Sequence, residues 1–239
     1  MPDAKRVLNT ILQARNDTPL VIFDLDSTLF DVSHRTQLII EAFANESKFK
    51  KLYTDETTRL LSVRVASEDW GLSESLIKAN FNPTKNFFKD LYNYWRKYFF
   101  SSRYLYADLP YKGAVEYVNE LYNNGVKIFY LTGRDEKNMR SGTVKSLTHW
   151  KFPTNNLESI LLMKPTKGSI KDDDFKSHML LKLKHLSKHI WFFENEPIII
   201  DKVRRSLPEI KVVWVDTTHS GRAQPPKNLT VIREYWFKS

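Results

Sequence analysis

The chain has 239 residues, no cysteine and a formal net charge of +9 at pH 7. The absence of cysteine excludes disulfides and cysteine-ligated zinc, and a hydrophobic content of 41% is typical of a globular protein and not of a disordered one. The length suits one large domain, or one domain with a sizeable insertion. Residues 32–107 contribute +4 of the charge and the rest of the chain +5. Because the basic residues are spread along the chain, a nucleic-acid partner is possible but not favoured.

The first residues predict an amphipathic helix, since Val7, Leu8, Ile11 and Leu12 recur at helical spacing. Polar residues interrupt this apolar face, which differs from the continuous apolar core of a signal peptide. Every apolar run in the chain is also shorter than the roughly 20 residues that a bilayer requires. We therefore expect a cytoplasmic protein with no transmembrane helix and no membrane partner, while the sequence leaves the oligomeric state open.

Short apolar segments then alternate with helical patterns along the chain. Strands are predicted at 20–24, 126–131, 158–163, 190–193 and 211–215, with helices from Pro110 to Asn124-Gly125, at 138–149 and at 176–188. Such alternation predicts right-handed βαβ units. The expected fold class is therefore α/β, with a Rossmann-like parallel sheet of about five strands flanked by helices.

The segment 32–107 breaks this alternation. It contains long helical stretches, such as 37–52 and 84–100, and no convincing strand. It is too long for an ordinary crossover between the first two strands, so it predicts an inserted α-helical cap subdomain. The predicted division is a core formed by 1–31 and 108–239, with a cap at 32–107.

Two aspartates, Asp24 and Asp26, follow the most apolar short segment, VIF. Ligands of parallel α/β sheets gather at the carboxyl ends of strands, where these carboxylates would lie. Aspartate can attack phosphorus as a nucleophile, and such a site needs a divalent cation and a second acid/base group. A turn whose aspartates cap a helix or bind water is the simpler alternative for an isolated pair.

The stretch FDLDSTLF resembles the first motif of the haloacid dehalogenase-like (HAD) superfamily, an apolar strand followed by DxDx(T/V). This resemblance implies that Asp24 is the nucleophile and a magnesium ligand. It implies that Asp26 is the general acid/base and binds magnesium through its backbone carbonyl. The second aspartate is typical of phosphatase-type members and excludes the dehalogenation reaction. The helical segment 32–107 also lies where such proteins insert a helical cap, between the first and second motifs.

The resemblance continues at the next strand, where IFYLTGR corresponds to a second motif that ends in Ser or Thr. It implies that Thr132 and the following backbone N–H hold a phosphoryl oxygen, with Gly133 and Arg134 in the substrate-binding set. Taken alone, a TGR sequence is also a common turn with a helix cap.

The third motif is a lysine whose ammonium neutralises the nucleophile and the phosphate. Several lysines lie near the last predicted helix, and Lys176 follows the acidic run 172–174 that suits a helix N-terminus. We expect Lys176 to be the motif lysine, with Lys182 as the reserve candidate. Each of these lysines could instead lie on a solvated helix face.

The fourth motif departs from the family pattern. The strand IWFF leads into Glu194-Asn195-Glu196, where one or two aspartates are usual. Glutamate is still a hard oxygen ligand, so Glu194 is the predicted magnesium ligand, supported by Asn195 and less certainly by Glu196. Asp201 is expected on the following helix. The substitution also leaves open a weakened metal site or an inactive relative.

The predicted cap is rich in aromatic residues that follow one helical stripe: Phe87, Phe88, Tyr92, Trp95, Tyr98 and Phe99. A packed cap core is the main interpretation of this stripe. One or two of these rings could instead stack on a planar leaving group such as a nucleobase. Arg96, Lys97 and Arg103 could contact a second anionic group, and His34 could line the entrance, although all four suit an ordinary surface.

Together these features predict a magnesium-dependent phosphohydrolase that cleaves a small phosphomonoester through an aspartyl-phosphate. A phosphotransferase or mutase of the same family is one alternative. A catalytically weak protein that uses this scaffold to bind RNA or a protein partner is another.

Overall fold

The computed structural model describes residues 3–154, 157–166 and 170–237. In these ranges the helices are α1 Asp3–Gln13, α2 Ser33–Asn45, α3 Ser47–Leu52, α4 Thr54–Leu60, α5 Gly71–Lys78, α6 Lys85–Phe99, α7 Ala114–Asn123, α8 Glu136–His149, α9 Asp172–Leu183 and α10 Pro197–Ser206. The strands are β1 Leu20–Phe23, β2 Phe30–Asp31, β3 Leu109–Pro110, β4 Lys127–Asp135, β5 Ser159–Lys164, β6 Ile190–Glu194, β7 Lys211–Val215 and β8 Thr230–Ile232. Short 3₁₀ segments occupy Arg15–Asp17 and Ser102–Ala107.

Six of the described strands form one parallel sheet in the order β5-β4-β1-β6-β7-β8. The strand β1, which carries the two aspartates at its end, lies at the centre between β4 and β6. The α/β class with a parallel sheet flanked by helices is thus confirmed. The sheet also has a sixth strand, β8, which was not predicted. Its three residues follow a long loop, and so short a segment gives no periodic pattern.

Side chains of the central strands alternate strictly between two apolar layers. In β1, Val21 and Phe23 pack on the face that carries α1 and α7, whereas Leu20 and Ile22 pack against α9 and α10. The strands β4 and β6 divide their residues between the same two layers. This alternation is what a strand buried on both faces requires, and it explains the nearly continuous apolar runs in the sequence.

Residues between β2 and β3 form five helices and the second 3₁₀ segment within the described chain. These helices bury an apolar cluster of their own, built from residues 40–91 and including Phe43, Phe87 and Leu91. The two-residue strands β2 and β3 pair antiparallel at the base of this unit. This separate cluster supports the proposed cap at 32–107.

Some predicted boundaries shifted. The helix expected from Pro110 begins at Ala114, because Pro110 pairs in β3 and Gly113 adopts a left-handed φ of 81° before the first turn. The helix expected at 176–188 begins four residues earlier, at Asp172, so that three aspartates occupy its first turn. None of the helices in the described ranges combines the length and apolar character needed to cross a membrane.

Candidate active site

The sheet brings three predicted motifs to one edge. Phe23 of β1 is in register with Tyr130 of β4 and Phe193 of β6, so the residues that follow emerge side by side. The backbone N–H of Asp24 donates to the Phe193 carbonyl (3.0 Å), which extends the pairing into the motif. Asp24, Thr132 and Glu194 consequently border one cavity of about 260 Å³.

A buried lysine links two of these carboxylates. The Lys176 ammonium donates to Asp24 Oδ1 (2.6 Å) and to Glu194 Oε2 (2.7 Å). All three side chains are at least 95% buried. Lys176 reaches this position because α9 begins at Asp172, which directs the second turn of the helix toward the strand ends. One ammonium facing two carboxylates leaves an excess of negative charge.

Burial governs the titration of these groups. It raises the pKa of Asp24, an effect that the Lys176 ammonium opposes and the nearby Asp26 reinforces. Burial likewise raises the pKa of Glu194 to about 7, although Lys176 again opposes the shift. The pKa of Lys176 is raised because its two carboxylate partners outweigh its own desolvation. A further cation at this site would stabilise both carboxylates in their charged forms.

Other oxygen atoms that could serve as metal ligands lie close to Asp24. The Thr28 hydroxyl lies 3.1 Å from both Asp24 Oδ2 and Asn195 Oδ1, which places this carboxylate and this amide around one point. Glu194 Oε1 accepts the backbone N–H groups of Asn195 and Glu196 (3.1 and 3.0 Å). In the described ranges no three His, Cys, Asp or Glu side chains converge as a metal site. The oxygen donors and the excess negative charge nevertheless fit a magnesium ion, which prefers hard oxygen ligands and keeps several waters.

Thr132 and Gly133 form another wall of the cavity. Thr132 is buried, and its hydroxyl accepts the backbone N–H of Arg134 (3.2 Å). A Cβ on Gly133 would lie 2.7 Å from the Asp172 carboxylate, so a larger residue at this position would require the Asp172 side chain to shift. The end of β4 therefore lines the cavity with the Thr132 side chain and the Gly133 backbone.

Arg134 has a different environment from the one expected of a phosphate-binding residue. It is 2% exposed, and its Nε donates to Asp26 Oδ1 (3.0 Å), one terminal nitrogen donates to Asp108 Oδ2 (2.7 Å) and the other to the Thr143 hydroxyl (3.3 Å). Its guanidinium borders the cavity but its donors are directed at protein oxygens.

Arg35, from α2, joins the same cluster. It donates to Asp26 Oδ1 (2.8 Å) and binds both oxygens of Asp108 (2.7 Å each). Two guanidiniums and two carboxylates thus form a charge-balanced group, in which Arg35, Arg134 and Asp108 are buried and Asp26 is partly exposed. Burial alone would raise the pKa of Asp26, but Arg134 and Arg35 together hold it well below its ordinary value. Asp26 is therefore a carboxylate in this arrangement.

Comparisons with known proteins point to one family. A family model described as HAD superfamily, subfamily IIIB (acid phosphatase) matches residues 84–193, which is 110 of the 239 residues. This match supports a haloacid dehalogenase-like hydrolase of the phosphatase type.

Solved structures share the fold at low sequence identity. A putative phosphatase from Clostridium difficile is 14% identical, with a TM-score of 0.59 over 90% of this chain and 94% of its own. A haloacid dehalogenase-like hydrolase from Streptococcus pneumoniae is 14% identical, with a TM-score of 0.55 over 92% and 96%. A predicted phosphoglycolate phosphatase from Haemophilus somnus is 17% identical, with a TM-score of 0.54 over 92% and 95%. No curated protein sequence matches the chain significantly.

Other candidates from the sequence lie at the surface or bind different partners. Lys182 is exposed on α9, so the structure places Lys176 and not the reserve candidate between the carboxylates. Asp201 lies on α10 and pairs with Arg205 at the surface. His34 is exposed, and the cavity border within the described chain does not include the three basic cap residues Arg96, Lys97 and Arg103.

Glu196 borders the cavity, but its carboxylate is engaged by a loop. It accepts the hydroxyl and the backbone N–H of Ser220 (2.6 and 3.0 Å). These contacts anchor the loop that follows β7.

The sequence analysis missed Arg35, Asp108 and two aromatic residues of the cavity, Trp70 and Phe100. Arg35 and Asp108 meet although 73 positions separate them, and neither belongs to a motif. The one available signal was the position of Asp108, immediately after the cap segment, where the chain returns to the pocket.

Proposed function

We propose that this HAD phosphatase is a magnesium-dependent phosphomonoesterase that works through an aspartyl-phosphate on Asp24. The observation that carries the proposal is a buried Asp24 at the end of the central strand, with the Lys176 ammonium 2.6 Å from one oxygen and the Thr28 hydroxyl 3.1 Å from the other. These two contacts hold the carboxylate in one orientation at the cavity floor. An oriented carboxylate is a suitable nucleophile toward phosphorus.

The phosphoryl group of the substrate would bind above Asp24. Lys176 neutralises the negative charge, and the Thr132 hydroxyl with the Gly133 backbone N–H donates to phosphoryl oxygens. These groups come from two elements that the sheet fixes relative to β1, so their positions require little rearrangement. A small phosphorylated substrate is therefore the expected partner.

Magnesium would be held by the Asp24 carboxylate, the Asp26 backbone carbonyl and Asn195, with Glu194 beside them. When bound, it offsets the charge of the phosphoryl group and of the attacking carboxylate. Glu194 replaces the usual aspartate, and its other oxygen already caps the backbone N–H groups of residues 195 and 196. We propose that these two hydrogen bonds fold the longer Glu194 side chain back, so that its carboxylate occupies the position that the usual aspartate carboxylate would occupy.

Asp26 is the proposed acid/base group. Arg35 and Arg134 keep Asp26 in the ionised form that a base requires for the water that hydrolyses the aspartyl-phosphate, and the same contacts lower its affinity for a proton. Protonation of the leaving oxygen in the first step requires Asp26 to gain a proton first, which its two arginine contacts oppose. We propose Arg134 as the residue that positions Asp26, with Thr132 and Lys176 binding the phosphate.

The test is phosphate release from a panel of phosphomonoesters with and without magnesium. Asp24→Asn should lower kcat by on the order of 10³-fold or more, because the amide oxygen is a poor nucleophile. Asp201→Asn is the matched control, since Asp201 lies at the surface of α10, and it should leave kcat unchanged.

Magnesium chelation should abolish wild-type turnover, and magnesium should restore it. Retention of full activity by Asp24→Asn would refute the nucleophile assignment. Turnover that requires an added alcohol or sugar acceptor would identify a phosphotransferase instead.

A further inference from the structure

The cavity above Asp24 has a second wall of distinct chemistry. Its floor is formed by the charged groups at the strand ends, whereas the cap contributes Trp70, Trp95, Phe99 and Phe100. The rings of Trp95 and Phe99 lie 4.7 Å apart between centroids, and those of Phe99 and Phe100 lie 5.2 Å apart. These four residues, here called the aromatic wall, present a broad apolar surface next to the reaction centre.

Three residues of the aromatic wall, Trp70, Phe99 and Phe100, lie outside the apolar core of the cap, against which Trp95 packs. Phe87 and Leu91, on the same helix, are fully buried in the cap cluster, but Trp70 and Phe100 remain 44% and 47% exposed. Exposed aromatic surface at a cavity is costly in water and is stabilised when a ligand covers it. The cap core does not require these two side chains, which is consistent with a binding role.

The orientation of the aromatic wall is fixed by local contacts. Trp95 Nε1 donates to the Thr36 hydroxyl (3.2 Å), and the Arg35 guanidinium lies 4.4 Å from the centroid of the Phe99 ring. Rings held in this way need little ordering when a flat group packs against them.

The four residues of the aromatic wall carry no charge. The basic residues among the described residues that border the cavity are Arg134, Lys176 and Arg222. The first two bind protein carboxylates, whereas Arg222 is an exposed residue of the loop after β7, where its Nε donates to the Ser220 hydroxyl (2.9 Å). Asp69, an acidic residue of the cavity, is paired with Lys78 and Ser75. The wall itself therefore presents apolar rings, and no cation, to a group that packs against it.

Displacement at phosphorus is in line, so the leaving oxygen departs on the side opposite the attacking Asp24 carboxylate. The group attached to it therefore points away from the floor and toward the cap. We propose that the aromatic wall is a leaving-group subsite for a flat, uncharged aromatic group, so that the substrates are phosphomonoesters of aromatic alcohols. This inference rests on the proposed phosphomonoesterase activity.

The experiment compares benzyl phosphate with n-butyl phosphate, both esters of primary alcohols, so that the ratio of their kcat/KM values reports recognition of the ring. The wild type should prefer benzyl phosphate by about tenfold or more, as expected for contacts with several rings. Trp70→Ala and Phe100→Ala should each reduce kcat/KM for benzyl phosphate by about three- to tenfold and leave that for butyl phosphate nearly unchanged. Both side chains are half-exposed, so these variants should keep their fold, which circular dichroism checks.

Tyr106→Ala is the matched control, because Tyr106 is 68% exposed and does not border the cavity. It should change neither value. Equal kcat/KM values for the two esters in the wild type, or equal losses for both esters in Trp70→Ala and Phe100→Ala, would overturn the subsite.

Binding of the non-hydrolysable benzylphosphonate and butylphosphonate, measured by calorimetry, separates the subsite from the reaction. Tighter binding of benzylphosphonate without phosphate release would support the subsite while refuting the phosphomonoesterase proposal. Hydrolysis of both esters, with no preference for the benzyl compound in either assay, would support the phosphomonoesterase proposal and refute the subsite.

Discussion

At the scale of single residues, the site depends on one ammonium between two buried carboxylates. Asp24 and Glu194 come from neighbouring strands, and each lies within 2.7 Å of the Lys176 ammonium. Removing such charges from water costs several kcal/mol per group, and one lysine offsets only part of that cost. Because the desolvation cost is only partly offset, the pKa values of both acids are raised.

Glu194 should make the stability of the metal-free protein depend on pH. Burial raises its pKa from 4.5 to about 7, so the folded state binds an additional proton between these two values. The free energy of unfolding should therefore fall as pH rises through this window, by on the order of 1–3 kcal/mol from this group. Denaturant unfolding at several pH values, with a chelator present, measures this slope.

Glu194→Gln should flatten that slope, since the amide does not titrate. Glu136→Gln, at an exposed position on α8, is the matched control and should keep the wild-type slope. Identical slopes for Glu194→Gln and the wild type would show that Glu194 does not carry the effect.

At the scale of elements, the cluster of Asp26, Arg35, Asp108 and Arg134 joins the proposed cap to the sheet. Arg35 lies on α2, Asp108 precedes β3 and Arg134 lies near the end of β4. Each guanidinium binds both aspartates, so three elements are held around the Asp26 carboxylate. The cluster therefore links the position of the cap to the geometry of the proposed acid/base group.

Asp108→Asn should destabilise the protein strongly. The two guanidiniums would remain buried with one carboxylate fewer, and breaking a buried ion pair typically costs about 3–5 kcal/mol. Urea denaturation measures the change. Asp55→Asn, at an exposed position on α4, is the control and should shift the free energy of unfolding by less than about 0.5 kcal/mol. A similarly small effect of Asp108→Asn would show that the cluster is not important for stability.

At the scale of the whole molecule, the described chain contains two units with separate apolar interiors. The sheet and its helices bury two layers, and the helices between β2 and β3 bury a third cluster. The units meet at the short β2–β3 ribbon, at the ion cluster and across the cavity. They also meet where Leu105 of the second 3₁₀ segment packs with Met139 and Met163. Units with separate cores commonly open independently, which suits a cap that must admit substrate.

Leu91→Ala tests this independence. Leu91 is fully buried in the cap cluster, and its truncation should cost about 2–5 kcal/mol. Hydrogen exchange should accelerate in α2 to α6, while amides of β1, β4 and β6 keep their protection. Leu131→Ala, buried between β4 and the α9 face, is the matched variant and should accelerate exchange in the sheet. Equal acceleration in both units for Leu91→Ala would argue against a separate cap.

Much of the core could be predicted from local patterns. A strand buried on both faces has a nearly continuous apolar sequence, and the residues after it must emerge at the sheet edge. The pattern therefore placed Asp24, Thr132 and Glu194 at strand ends, whereas the resemblance to the HAD motifs singled out Thr132 and Glu194 as site residues. The position of the sheet's sixth strand and the start of α7 could not be predicted in this way, because three residues are too few for a periodic signal and Pro110 pairs with a distant strand.

The sequence by itself determined the α/β class, the order of the motifs and the two carboxylates at the end of the first strand, since each depends on neighbours in the chain. Tertiary structure decided which lysine faces Asp24, which carboxylates hold Arg134 and which rings of the cap border the cavity. Those outcomes depend on the rotational phase of α9 and α6 and on contacts between residues far apart in sequence, such as Arg35 and Asp108. Local patterns do not encode such contacts, because the packing of whole elements brings these residues together.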